Sequence, residues 1–266
     1  MTVSIPMKRQ LVQTNGISTS ILEAGRGRPT ILLHGTSSSA LMGWGPLLPE
    51  LGKTRRCLAP DFIGSGETQD NGGAITLDML IAQVKATAAL APDEPIDIIG
   101  YSLGAVVAAA VASEMPDRIR RLILIGGWVK SDIRMNLLFD SWITLARTNR
   151  SQLANFVMLN GLSDAFFETI DEITLANLQN QYAENLSPGS DRQAALDATI
   201  DICARLPDIK AETLVISMTD DRMVRPHHCR QLARGIKGAR FEEIDAGHLV
   251  FVEKPERVVE LIEALR

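Results

Sequence analysis

Apolar residues along the chain fall into short, unbroken runs separated by stretches with a helical period. Residues 8–14 and 17–23 alternate loosely on either side of Asn15-Gly16. Asn-Gly between two alternating runs predicts a hairpin. Apolar runs follow at 29–33, 56–59, 96–99, 120–127 and 213–216, and 240–244 reads as a further strand. Runs of that length without polar alternation suit strands buried on both faces. Between them the period changes. Leu77, Leu80, Ile81 and Val84 share one face of a helix over 76–91, and Leu47, Leu48 and Leu51 mark a shorter one. Residues 226–236 and 254–265 read as two more. Strands alternating with helices predict a mostly parallel sheet with right-handed crossovers.

The alternation stops at residue 131. From there to about 205 no buried-strand run occurs, and the apolar positions keep helical spacing: Leu137, Leu138, Trp142 and Leu145, then Leu153, Phe156 and Val157, then Phe166, Phe167 and Ile170. The expectation is one α/β domain made of residues 1–130 and 206–266, with a helical insertion at 131–205 after the sixth strand. No flexible linker is visible on either side of the insertion.

The segment 95–112, PIDIIGYSLGAVVAAAVA, combines a buried strand, the sequence Gly100-Tyr101-Ser102-Leu103-Gly104, and a helix of Ala and Val. Strand, sharp turn and helix are the context in which G-x-S-x-G forms a nucleophile elbow. The turn is tight enough that the residues two before and two after the serine must be small, which Gly100 and Gly104 satisfy. Ser102 is then expected at the end of a strand, with a helix N-terminus beneath it to stabilise developing negative charge.

Composition narrows the partners. The chain has 266 residues and a net charge of -5, and no basic stripe that would bind nucleic acid. Its longest apolar run, 105–112, is far short of a membrane span, and the opening MTVSIPMKRQ lacks the apolar core of a secretion signal. Cys57, Cys203 and Cys229 are odd in number and widely spaced, as in a reduced, cytoplasmic protein. His227, His228 and Cys229 could suggest a metal, but neighbouring residues rarely share one ion and no partner cluster is visible, so no metal and no cofactor is expected. The two histidines are expected to be solvated.

With these motifs in hand the chain resembles the α/β-hydrolase superfamily over nearly its whole length. The resemblance rests on His34-Gly35 after the third strand, Asp61-x-x-Gly64-x-Gly66, the elbow at Ser102, Asp221 in TDDRMVRP and His248 in DAGHLVFVEKPE. Their order, Ser…Asp…His, is the order of that fold. The resemblance implies an eight-stranded, mostly parallel sheet flanked by helices. It also implies Ser102 as nucleophile, His248 as base and Asp221 as the acid that orients it; Asp220, one residue earlier, is the alternative acid. It implies an oxyanion hole from the backbone N–H groups of Thr36 and Leu103, with the Thr36 hydroxyl either a third donor or a turn cap. His34 is expected to shape that turn. The departures are Ala105 where many relatives have glycine, Ser65 where many have Arg or His, Tyr101 where carbon–carbon bond hydrolases often carry asparagine, and no triple-glycine loop after His34.

A serine hydroxyl needs an adjacent base to attack at neutral pH, and a complete set of parts for acyl transfer leads to the expectation of a serine hydrolase. Its substrate class is an ester, lactone or thioester with a small-to-medium apolar acyl group, possibly carried by a protein. The alternatives are a lyase that uses the same pocket without an acyl-enzyme, and a non-catalytic receptor. The insertion is rich in aromatic and thioether side chains: Met135, Phe139, Trp142, Phe156, Met158, Phe166 and Phe167, with Trp128 just before it. Some pack the insertion itself. Trp128, Phe139, Trp142 and Phe167 are expected to line an apolar substrate pocket. Arg134, Arg147 and Arg150 read as solvated helix faces; the alternative is a landing site for an acidic carrier.

Overall fold

The computed structural model of the protein describes residues 5–265. The reading of the first ten residues as lacking a leader rests partly on residues 1–4, which lie outside that range. The strands are β1 (Met7–Thr14), β2 (Ile17–Gly25), β3 (Arg28–Leu33), β4 (Arg55–Pro60), β5 (Ile96–Tyr101), β6 (Ile119–Ile125), β7 (Glu212–Met218) and β8 (Arg240–Ile244). They form one sheet in the order β1-β2-β4-β3-β5-β6-β7-β8. β1–β2 and β2–β4 are antiparallel, and every other pairing is parallel. This is the eight-stranded, mostly parallel α/β sheet that the alternation of runs implies.

Local chemistry explains the elements. Asn15 and Gly16 both take positive φ, 48° and 81°, as a two-residue hairpin turn that matches strand twist demands. Thr76 accepts from the Met79 N–H and so starts the helix Leu77–Ala88. The helix Leu103–Glu114 is apolar all round, with Leu103 to Ala112 buried, because the sheet lies on one side and other helices on the other. One apolar layer contains Leu32, Trp44, Ile99, Ile123, Ile216 and Ile262. The opposite layer joins the helix Leu103–Glu114 to residues of the segment between β6 and β7, such as Met135, Leu153 and Val157.

That segment holds the helices Ile133–Thr148, Arg150–Gly161, Asp164–Phe167, Glu172–Glu184 and Ser190–Asp197, and a 3₁₀ turn at Cys203–Asp208. Four starts are capped by Asp132, Asn149, Ser163 and Asp171, whose side chains accept from backbone N–H groups. Two short helices, Ala40–Trp44 and Val250–Glu253, have no counterpart in the sequence reading; five and four residues are too few to show a period. All three cysteines are free. No helix among the described residues is long and apolar enough to cross a membrane.

Candidate active site

Ser102 follows β5 and precedes its helix, with φ 56° and ψ −122°. A non-glycine residue in that region is strained, and the surroundings enforce it. The Ser102 N–H donates to Ile125 O of β6 at 2.8 Å, so the sheet holds one side of the turn. A Cβ on Gly100 would strike the Gly104 carbonyl, and one on Gly104 would strike that of Leu33. The elbow therefore closes only with glycine at both places.

Two loops bring partners to the serine. His248 Nε2 lies 3.0 Å from Ser102 Oγ, and His248 Nδ1 lies 2.6 Å from Asp221 Oδ2. Asp221 Oδ1 accepts from the N–H groups of Met223 and Val224 at 2.9 and 2.7 Å. A carboxylate held this way accepts the Nδ1 proton, which leaves Nε2 as acceptor for the serine hydroxyl. All three residues are buried. Asp220 points elsewhere: its Oδ2 accepts from the Asp164 N–H at 2.9 Å. Of the two candidate acids, only Asp221 reaches the histidine.

Of the two expected N–H donors, Thr36 lines the same cavity as Ser102, and Leu103 is the residue after that serine. Leu103 opens its helix, where the N–H has no intrahelical partner. The Thr36 hydroxyl is neither a spare donor nor a turn cap: it donates to Asp197 Oδ2 at 2.5 Å. His34 is structural. Its Nδ1–H donates to Gly35 O at 2.8 Å and its Nε2 accepts from the Phe62 N–H at 3.0 Å. Burial lowers its pKa, which keeps the ring neutral in that role. Ser65 accepts from Gln193 Nε2 at 2.8 Å, and Gln193 Oε1 accepts from the Ser37 N–H at 2.9 Å. The residue that departs from the family pattern thus ties the insertion to the sheet.

Above the serine lies a cavity of about 230 Å³, lined by residues that include Gly35, Thr36, Ser102, Trp128, Phe139, Trp142, Met158, Tyr182, Asp197 and His248. Trp128, Phe139 and Trp142 stand in its wall as expected. Phe167 does not. It ends the short helix Asp164–Phe167 and packs, half-buried, against the main apolar layer. Ser163, just before that helix, is bonded through N–H and hydroxyl to Glu253. Arg147 pairs with Asp191 at 2.8 Å and Arg150 donates to Leu186 O at 2.9 Å, so both brace the insertion itself. Arg134 has a buried Nη1 without a partner.

Of the two adjacent histidines, His227 is exposed as expected and His228 is not. His228 is buried, and its Nε2 lies 3.2 Å from Asp132 Oδ2. His227 stacks on it with ring centres 4.0 Å apart. A carboxylate does stand beside them: ligand-type atoms of Asp132, His227 and His228 lie within 4.8 Å of one another. The chain fold, not the sequence order, brings Asp132 there. It also caps the helix Ile133–Thr148 through the Met135 N–H at 2.8 Å. Burial lowers the His228 pKa, so a neutral Nε2–H donates to Asp132.

Two residues at the site carry no sequence motif. Tyr101 donates its hydroxyl to His248 O at 2.7 Å and lies against the imidazole, ring centres 5.2 Å apart. It occupies the variable position of the elbow, and its aromatic size was the only signal. Asp197 is wholly buried in the pocket wall. Its signal was a charge on the face that also carries Gln193, Ala194 and Ile200.

Sheet order, elbow and the sequence of Ser, Asp and His along the chain define the class as α/β hydrolase. The chain belongs to the alpha/beta hydrolase family, whose pattern matches residues 30–261. It is similar to a pyrrolizixenacetamide deacetylase from Xenorhabdus hominickii, 34% identical over 242 residues, 90% of this chain and 91% of that protein. It is also similar to a 2-hydroxy-6-oxo-2,4-heptadienoate hydrolase from Pseudomonas putida, 26% identical over 268 residues, 95% of this chain and 94% of that protein. Among solved structures, the enol-lactonase from Burkholderia xenovorans LB400 shares the fold with a TM-score of 0.85 at 23% identity, covering 96% of this chain and 98% of that one.

Proposed function

We propose that the protein is a serine hydrolase that cleaves an ester, lactone or thioester of a small-to-medium apolar acyl group through an acyl-enzyme. The observation that carries this reading is the continuous hydrogen-bonded line from Ser102 Oγ through His248 to Asp221 at the floor of an apolar pocket. Ser102 Oγ attacks the acyl carbon and its proton passes to His248 Nε2. The carbonyl oxygen becomes an oxyanion between the Thr36 and Leu103 N–H groups, each worth roughly 3 kcal/mol in such sites. His248 then gives its proton to the leaving oxygen, nitrogen or sulfur as the tetrahedral intermediate collapses. A water, deprotonated by the same nitrogen, releases the acid and restores Ser102. Asp221 stays ionised throughout and stabilises the imidazolium.

The names of the similar proteins agree with acyl transfer: a deacetylase and an oxo-acid hydrolase among the relatives. The deacetylase extends the range of leaving groups to amide nitrogen, which the same proton relay serves. No arginine or lysine lines the pocket among the described residues. The acyl portion is therefore uncharged, and a carrier's phosphate would stay outside.

The test uses a serine-directed fluorophosphonate and oxygen-18 water. Ser102 becomes labelled, labelling vanishes in Ser102→Ala, and the released carboxylate gains one heavy oxygen. A product formed at full rate by Ser102→Ala, without solvent oxygen, would replace the hydrolase with an eliminating enzyme.

A further inference from the structure

Within the proposed active-site pocket, Asp197 has no assigned task. Asp197 closes the helix Ser190–Asp197 and is 0% exposed. Its backbone is fixed from both sides. Ser131 Oγ donates to Asp197 O at 2.5 Å, and Trp128 Nε1 donates to Ser131 Oγ at 2.9 Å. Its Oδ2 accepts the Thr36 hydroxyl at 2.5 Å. Its Oδ1 is buried and has no hydrogen-bond partner. A buried polar atom left unpaired costs about 1–3 kcal/mol and calls for an explanation.

The protonation state follows from the surroundings. The lining holds no lysine or arginine among the described residues, so an ionised carboxylate here would lack a counter-ion. Burial pushes the carboxyl up to about 8, only partly offset by the Thr36 hydrogen bond. At neutral pH the group is a carboxylic acid. The oxygen that accepts from Thr36 is the carbonyl-type oxygen, which leaves the proton on Oδ1. Ser102 and His248 are engaged with each other, while the Tyr182 hydroxyl, whose pKa burial raises, is like Asp197 Oδ1 buried without a hydrogen-bond partner.

We propose that Asp197 is an anchor for substrate: its un-ionised carboxyl donates a hydrogen bond from Oδ1 to a second oxygen acceptor on the acyl group. That acceptor is a keto, ester or amide carbonyl separate from the carbonyl under attack. Because Thr36 links the anchor to the oxyanion hole, the two carbonyls stand only a few bonds apart. The enzyme then favours oxo-acyl groups over plain alkyl ones and disfavours carboxylates, which would meet no cation. This rests on the serine-hydrolase reading.

The experiment compares kcat/KM for the p-nitrophenyl esters of 4-oxopentanoate and pentanoate, and of 5-oxohexanoate and hexanoate. Wild type is expected to favour the oxo ester in at least one pair by about tenfold, the worth of one buried hydrogen bond. In Asp197→Leu both esters lose what the disturbed Thr36 costs, and the oxo ester loses about tenfold more. Asp197→Asn keeps an N–H donor and most of the preference; it also decides the matter should the leucine variant not fold. The titratable groups sharing the pocket are His248, Tyr101 and Tyr182. His248 acts on both esters alike and cancels in the ratio, and burial raises both phenols above the range. The wild-type ratio therefore falls as pH rises through about 8, while that of Asp197→Asn stays flat. Ratios indifferent to Asp197→Leu in both pairs, or equal losses for both esters, overturn the anchor. Fluorophosphonate labelling of wild-type Ser102 is read alongside. Labelling with an indifferent ratio removes the anchor alone, and absence of labelling removes the hydrolase reading.

Discussion

Replacing Asp197 by asparagine should make the protein more stable, and increasingly so as pH rises. The carboxyl titrates near 3.8 in an unfolded chain and at about 8 in the folded one, because burial disfavours its charge. The sign follows from linkage. The unfolded chain releases the proton at lower pH than the folded protein does, so raising pH favours unfolding between those two values. Stability from this group is complete below about pH 4 and is lost progressively up to about pH 8. The slope is at most about 1.4 kcal/mol per pH unit, one proton's worth. Between pH 5 and pH 8 the loss is on the order of 3–4 kcal/mol. Asparagine has nearly the same shape, can still accept from Thr36, and cannot ionise. Urea unfolding of both proteins at pH 5, 6, 7 and 8 should show the gap widening with pH in favour of the variant. At roughly 2–4 °C per kcal/mol, melting temperatures should diverge by about 6–16 °C over that range. A gap that stays constant with pH, or narrows, would show that Asp197 is ionised in the folded protein and would refute the reasoning.

Asp221→Asn should lower turnover by about four orders of magnitude, since the tautomer-setting acid is lost, whereas Asp220→Asn should cost far less; steady-state rates of the two purified variants check this, and equal losses would contradict the assignment. Tyr101→Phe removes the hydroxyl that holds the His248 carbonyl at 2.7 Å and should lower kcat by about tenfold with KM little changed; a change confined to KM would place Tyr101 in substrate contact instead.

Much of the sheet could be read from the chain because its signals are local. A buried strand such as β6 is a continuous apolar run, and the Asn15-Gly16 hairpin is a two-residue signal. The elbow around Ser102 is equally local, since glycine is demanded by clashes within a few residues. His248 and Asp221 carried weaker signals, a position after a strand and a place in the order, and the distances between them come only from the fold. Asp197 and Tyr101 gave no motif. Their significance arises from neighbours far away in sequence, Thr36 for one and His248 for the other. His228, unlike the exposed His227, misled for the same reason: the first turn of a helix after proline usually faces water, and nothing local announces that Asp132 will lie against it. Phe167 looked like its aromatic neighbours in the insertion, but it packs, half-buried, against the main apolar layer instead.

The turn at Thr36 to Ser38 is held chiefly by the insertion. Asp197 takes the Thr36 hydroxyl, Gln193 takes the Ser37 N–H, Trp142 donates to the Ser37 hydroxyl, and Ser187 donates to Ser38 O. Any movement that lifts the insertion to admit or release a molecule strips the turn of these partners at the same moment. On the proposed reading, the backbone offered to the reacting oxygen therefore owes its shape to side chains far along the chain, and its support comes and goes with their contact.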